Sequence, residues 1–164
     1  MKSYLSAIRK WILDEPVVHI DDSDIIKPDS RKFEALGIVR DGSKSTDTKN
    51  VYEKGCHVTE ACVLTKSAHP VSIFSKIHSS KEKDFTSVND VTFSAMERSA
   101  SILAKSTFVM NRGYDDNKMF LKLDSLGQDY VIRLTAKRKL LFHGKWVPTT
   151  QLRDQRKGKI KISL

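Results

Sequence analysis

The chain has 164 residues, of which 39% are hydrophobic and 30% charged, and its 29 lysines and arginines outnumber 20 aspartates and glutamates to give a formal net charge of +9. This length and composition predict one globular domain and exclude a disordered or fibrous chain. No apolar run approaches the roughly 18 residues of a membrane-spanning helix, and two cysteines provide no disulfide framework, which favours a reducing compartment.

The first half of the chain predicts mainly strands. Residues 4–12 have the spacing of a short helix, and the apolar run Val17–Ile20 predicts a first strand. Residues 27–54 are polar and contain glycines, so we expect a long loop or insertion there. Two strand-like runs follow, Cys56–Leu64 and Val71–His78, and they predict an antiparallel hairpin.

The second half alternates between helices and strands. Apolar residues recur at helical spacing from Val88 to Leu103, with Ser87 as the expected N-cap. The later elements are expected in this order: a strand at Thr107–Met110, a helix at Asp116–Leu126 capped by Asp115 and ended by Gly127, a strand at Tyr130–Thr135, and a hairpin at Leu140–Val147 that turns at His143-Gly144. This order predicts a mixed α/β fold with a central sheet.

An acidic cluster, Asp21, Asp22 and Asp24, directly follows the first predicted strand. Carboxylates on a rigid strand end provide the hard oxygen ligands that Mg²⁺ or Mn²⁺ prefers. Asp and Ser are also common where a strand passes into a turn, so the cluster fits an ordinary loop as well. The same two interpretations apply to the polar segment Asn111–Asp116 after the strand Thr107–Met110, because ligands gather where the strands of an α/β sheet end.

Two other groups of residues do not predict a site. The segment Gly37–Ser45 only partly matches a phosphate-binding loop, because Ser43 separates the glycine from the lysine and no apolar strand leads into it. The five histidines are scattered, without the spacing of a nucleophile and its base, so they are expected to be surface or structural residues.

The positive charge is concentrated at the end of the sequence. Residues 1–130 are neutral overall, whereas residues 131–164 hold ten basic residues and a single acidic one, Asp154. The basic side chains expected to contact nucleic acid are Arg133, Lys137, Arg138 and Lys139. Such a compact basic segment points to a polyanion, most commonly nucleic acid, although a solvated tail is the alternative.

Three segments together resemble the bacterial insertion-sequence transposases with a DDE catalytic triad, in the group with a Tyr-Arg-Glu-Lys signature. They are Val17–Asp24, Thr107–Asp115 and Tyr130–Leu134, in the order and approximate spacing of that family. The resemblance implies a ribonuclease H-like fold, a five-stranded mixed sheet with flanking helices. It also implies cleavage and strand transfer of DNA at transposon ends by carboxylates that hold two Mg²⁺ (or Mn²⁺) ions.

The same resemblance assigns the catalytic positions. The first acid and metal ligand is taken as Asp22, because the family motif places a Ser or Thr next, here Ser23; Asp21 and Asp24 are the alternatives. The second acid falls on Asn111, an impaired ligand, since an amide lacks the negative charge that attracts a dication. No segment matches the third acid.

The resemblance therefore implies an internal piece of a transposase, incomplete at its C-terminus and inactive alone. Residues 1–16 would be a helical remnant, 17–135 a partial catalytic core and 136–164 the basic start of an inserted β region. The implied partners are DNA and full-length transposase, with no membrane, in the bacterial cytoplasm and nucleoid. The alternatives are a non-catalytic nucleic-acid-binding module, whose binding would weaken steeply with salt and would not depend on Asp22, and a fragment that inhibits intact transposase and would co-purify with it. Robust cleavage in a nicking assay would contradict the expected inactivity.

Overall fold

The computed structural model describes residues 2–155. Twelve helices and strands follow one another in this order: α1 (Lys2–Arg9), β1 (Val17–Ile26), β2 (Gly37–Arg40), β3 (Tyr52–Leu64), β4 (Pro70–His78), α2 (Val88–Leu103), β5 (Thr107–Met110), α3 (Asn117–Ser125), β6 (Asp129–Ile132), β7 (Lys139–Phe142), β8 (Lys145–Pro148) and α4 (Thr149–Gln155). A 3₁₀ turn, Arg112–Tyr114, lies between β5 and α3. Among these residues, no helix is long and apolar enough to cross a membrane.

Six strands form one mixed sheet. Its order is β2-β3-β1-β5-β6, and β4 also pairs with β3. β1, β5 and β6 are parallel, whereas β3 is antiparallel to β1, β2 and β4. The predicted mixed α/β class with a central sheet is confirmed, and the sheet has one strand more than the five expected.

The additional strand, β2, lies in the segment predicted to be a loop. The prediction of a loop over residues 27–54 was wrong, because β2 occupies Gly37–Arg40 and β3 already begins at Tyr52. Only Gly37 and Val39 of β2 are buried, a pattern too short to be recognised as alternation. Gly55 serves close packing rather than a turn, since a Cβ there would collide with the carbonyl oxygen of Ile25.

The strand β1 is longer than expected. It continues through all three aspartates to Ile26, paired with β3 from Val18–Val63 to Ile26–Gly55. The prediction that the first strand ends before the acidic cluster was therefore wrong. The long antiparallel partner supplies backbone hydrogen bonds that hold polar residues in a strand despite their preference for turns.

The core lies between the sheet and helix α2. Ser87 caps α2 as predicted, accepting a hydrogen bond from the backbone N–H of Asp90. The fully or nearly fully buried residues of this core come from α2, α3 and the central strands: Val18, Ile20, Ala61, Val63, Ala95, Met96, Phe108, Met110, Met119 and Leu123. This burial places one face of β1 and β5 in the core and thereby decides which side chains point away from it.

The C-terminal elements depart from the predictions in detail. Asp116, not Asp115, caps α3, and β6 spans Asp129–Ile132, shorter than predicted. The hairpin β7–β8 turns at His143 and Gly144, both with positive φ, as predicted. Helix α4 follows the hairpin within the segment expected to be the start of an inserted β region; residues 156–164 lie outside the described residues.

Candidate functional site

The side chains of Asp21 and Asn111 meet at the carboxyl end of β5. Ile20 and Met110 are the last paired residues of β1 and β5, and the next residue on each strand points to the opposite face, away from the core. Asn111 Nδ2 donates a hydrogen bond to Asp21 Oδ1 at 2.7 Å, and Asn111 Oδ1 accepts one from the backbone N–H of Gly113 at 2.6 Å. The backbone donor fixes the orientation of the amide, so its nitrogen must face Asp21.

Asp22 lies on the core face and belongs to a different network. Its carboxylate accepts a hydrogen bond from Thr59 Oγ1, which in turn lies 2.9 Å from Nε2 of His78. Because the Thr59 hydroxyl has one hydrogen and directs it to Asp22, it must accept a hydrogen bond from Nε2–H of His78. The structure thus brings Asn111 next to Asp21, the alternative, rather than next to Asp22.

His78 is held in its neutral form. It is 0% exposed, and its Nδ1 has no hydrogen-bond partner among residues 2–155. Burial lowers the pKa of His78, and the neighbouring His57 ring, stacked at 5.5 Å between centroids, lowers it further. A protonated ring would carry an unpaired buried N–H, which is costly, so His78 serves as a neutral donor at physiological pH.

Tyr114 and Asp24 complete the polar surroundings of Asp22. Burial raises the pKa of Tyr114 well above its ordinary value, and the charges of Asp22 and Asp21 raise it further. Its hydroxyl lies near Asp22 but makes no hydrogen bond of ordinary geometry within the described chain. Asp24 Oδ1 lies 2.6 Å from Nδ1 of His57, so this third aspartate is bound to its own partner.

The donor set does not fit a two-metal carboxylate site. Asp21 and Asp22 point to opposite faces of β1, and an amide nitrogen, which cannot bind a cation, faces Asp21. Within residues 2–155, no three His, Cys, Asp or Glu side chains converge as metal ligands. Mg²⁺ and Mn²⁺ require converging oxygen ligands, and these side chains are committed to hydrogen bonds instead.

The four basic residues predicted to bind nucleic acid fall into two groups. Arg133, Lys137 and Lys139 are exposed, and none of them has an ion-pair partner in the part of the chain that the structure describes. Arg138 instead forms an ion pair with Asp115, a residue whose side chain is only 1% exposed. Its guanidinium is used within the protein.

The partial phosphate-loop match at Gly37–Ser45 has a different role. The carboxylate of Asp41 accepts hydrogen bonds from the backbone N–H groups of Ser43 and Lys44. A phosphate would need these same backbone donors, and in this loop they are already hydrogen-bonded to Asp41. The hydrogen bond from the Ser43 hydroxyl lowers the pKa of Asp41 and keeps it ionised.

Sequence reasoning missed Thr59, His78 and Tyr114. Thr59 reaches Asp22 only because the two are paired across β1 and β3, and that register cannot be recognised when β1 is expected to end at Ile20. Its alternation with buried Ala61 was the one available signal that Thr59 shares the core face.

The comparisons with known proteins give no sequence match and a low-scoring match to a solved structure. No known family and no curated protein matches the sequence. Among solved structures, the chain is similar to the one described as "Crystal structure of a pre-cleavage Mos1 transpososome", with 13% identity and a TM-score of 0.40. The match covers 82% of this chain and 41% of that chain, so this chain spans less than half the length of that protein.

Proposed function

We propose that this chain is a transposase-like core of the ribonuclease H-like, DDE type that binds DNA without cleaving it. The observation that carries the proposal is the hydrogen bond between Asp21 and Asn111 at the end of two parallel strands. The sequence resemblance implies two acids at this position. Here one acid remains, Asp21, and the other position holds an uncharged amide that donates a hydrogen bond to it in place of a shared cation.

The absence of cleavage follows from how these groups are used. Both polar atoms of Asn111 are engaged, Oδ1 by Gly113 and Nδ2 by Asp21. Replacing one of two carboxylates by a neutral amide removes much of the attraction for a dication. Without a bound cation, neither the attacking water nor the leaving oxygen of a phosphodiester would be activated.

Binding of DNA is supported by the exposed cations that follow β6. Arg133, Lys137, Lys139 and Lys145 are exposed within a short stretch of chain. Lysines and arginines without acidic neighbours bind phosphates by displacing condensed counterions, whatever the base sequence. The polyanion that matches this surface best is the DNA backbone.

The experiment measures binding and cleavage separately. Fluorescence anisotropy with a labelled duplex should show affinity that falls steeply with salt, and K137Q/K139Q should flatten the slope by about 2 units of log K against log salt. The double variant K32Q/K49Q, which removes two exposed lysines elsewhere, is the matched control and should leave the slope unchanged.

A nicking assay with Mg²⁺ or Mn²⁺ tests the second half of the proposal. No cleavage is expected, and Asn111→Asp alone should not confer it. Robust cleavage by the wild-type chain that is abolished by Asp21→Ala or Asp22→Ala would show an active enzyme. Failure to bind DNA at low salt would overturn the binding function.

A further inference from the structure

The start of the basic hairpin β7–β8 is joined to the body of the protein by an ion pair between Arg138 and the buried Asp115. Asp115 accepts hydrogen bonds from the backbone N–H of Thr135 at 2.6 Å and from Nε of Arg138. Although burial alone would raise the pKa of Asp115, the hydrogen bonds from Thr135 and Arg138 hold it below its ordinary value. The carboxylate is therefore ionised and paired across a turn that leads into β7.

Both terminal nitrogens of Arg138 also donate a hydrogen bond within the protein. Nη1 donates to Asn117 Oδ1 at 2.8 Å, and Nη2 donates to the backbone oxygen of Asp115 at 3.2 Å. The guanidinium also lies over the ring of Phe120, 4.9 Å from its centroid. An arginine with this many partners has little capacity to bind a phosphate, in contrast to the exposed lysines on either side.

Thr149 closes the base of the hairpin. Its backbone N–H donates to the oxygen of Arg138 at 2.9 Å, and its hydroxyl donates to the oxygen of Thr135 at 2.9 Å. The strands β7 and β8 form a two-stranded sheet separate from the main one. Because an isolated two-stranded hairpin is marginally stable in water, the bonds of Thr149 help to hold its base together. The contacts of Thr135 and Arg138 with Asp115 join that base to the rest of the protein.

We propose that the Asp115–Arg138 pair is a tether that presents the surrounding lysines as a fixed phosphate-binding surface. Arg138 is a positioning residue, and Lys137 and Lys139, its exposed neighbours in sequence, bind the DNA backbone. This inference rests on the proposed function, since it concerns how the same DNA surface is arranged. A surface fixed before binding avoids the entropy cost of ordering its side chains in the complex.

The test separates position from charge. Asp115→Asn makes the protein one unit more positive, so charge alone predicts tighter DNA binding, whereas loss of the tether predicts binding about tenfold weaker. Arg138→Lys keeps the charge but loses the planar guanidinium that donates to Asp115. It should weaken DNA binding by a similar factor, with an unchanged dependence of affinity on salt. Asp29→Asn, at an exposed position, adds the same charge as Asp115→Asn and should not weaken binding.

A measurement without DNA tests the tether directly. Trypsin should cleave Asp115→Asn and Arg138→Lys faster than wild type after Lys137 and Lys139, while circular dichroism stays native. If Asp115→Asn does not fold, Arg138→Lys decides the question. If Asp115→Asn and Arg138→Lys bind DNA as tightly as wild type does, the tether is overturned while the proposed function stands. The same holds if Arg138→Gln reduces the slope of log K against log salt by about one unit, since Arg138 would then contact a phosphate itself. If the wild-type chain does not bind DNA, the proposed function is overturned as well.

Discussion

Replacing Asn111 with Asp should convert a hydrogen-bonded pair into a repulsive one. The substituted carboxylate keeps one oxygen on the backbone N–H of Gly113, as the amide does. Its second oxygen then occupies the place of Nδ2, which lies 2.7 Å from Asp21 Oδ1. Two ionised carboxylates cannot remain at that distance without a shared proton or a cation between them.

The size of the effect follows from the position of the pair. Two unit charges 4 Å apart repel by about 1 kcal/mol in water and about 4 kcal/mol in a partly buried site. Asp21 and Asn111 are exposed, which favours the lower end, and the lost hydrogen bond adds about 1 kcal/mol. We expect the free energy of unfolding to fall by about 2–3 kcal/mol, which lowers the melting temperature by about 5–10 °C for a chain of this size.

Thermal unfolding followed by circular dichroism measures this effect with and without a divalent cation. In EDTA the Asn111→Asp variant should melt early, and millimolar Mn²⁺ should restore most of the loss, because a cation between two carboxylates relieves their repulsion. Asn111→Ala is the control: it loses the hydrogen bond without adding charge, so it should not respond to Mn²⁺ at matched ionic strength. A variant as stable as wild type in EDTA, or an equal Mn²⁺ response in wild type, would refute the reasoning.

Two further predictions concern stability. The pKa of His78 is lower in the folded than in the unfolded protein, so the unfolded state binds an extra proton at low pH. The free energy of unfolding should therefore fall as the pH drops below about 6.5, by up to about 1.4 kcal/mol per pH unit. Urea unfolding of wild type and His78→Asn at pH 7 and pH 5 checks this, and an equal loss of stability in both proteins would contradict it. Gly55→Ala should lower the free energy of unfolding by about 3 kcal/mol or more, because the added Cβ collides with the carbonyl oxygen of Ile25. Gly42→Ala is the control and should lower it far less, since there is open space around Gly42. Equal urea midpoints for the two variants would show that β1 and β3 can move apart to accept the Cβ.

The elements that the sequence predicted well are those with strong local patterns. The strand Thr107–Met110 was predicted with its observed bounds, and α2 with its observed bounds and N-cap. The turn at His143 and Gly144 was predicted because few residues accept positive φ at adjacent positions. Local periodicity, caps and turn chemistry are sufficient for elements of this kind.

The elements that depend on distant partners were missed. Local propensity ends β1 at the aspartates, but pairing with β3, some 30–45 residues later in the chain, extends it to Ile26. The pairing of β1 with β5 decides which aspartate faces Asn111. A one-residue shift exchanges the two faces of a strand, so Asp21 and Asp22 cannot be distinguished before the register of β1 and β5 is known.

The basic segment shows the same limit for charge. Composition predicted four cations for nucleic acid, Arg138 among them, and the catalytic and DNA-binding roles remain predictions. Whether an arginine faces solvent or a buried aspartate depends on Asp115, 23 residues earlier in the chain. Net charge therefore located the surface but could not assign the role of each side chain.

The separation of Asp21 from Asn111 along the chain has a consequence for folding kinetics. Their hydrogen bond closes a loop of 90 residues, whereas the β3–β4 hairpin joins neighbours in sequence. Closing a long loop costs more entropy and comes later than local pairing, so the hairpin should form first. The two polar side chains meet only when β5 docks beside β1, so their contact reports the joining of the two ends of this long loop.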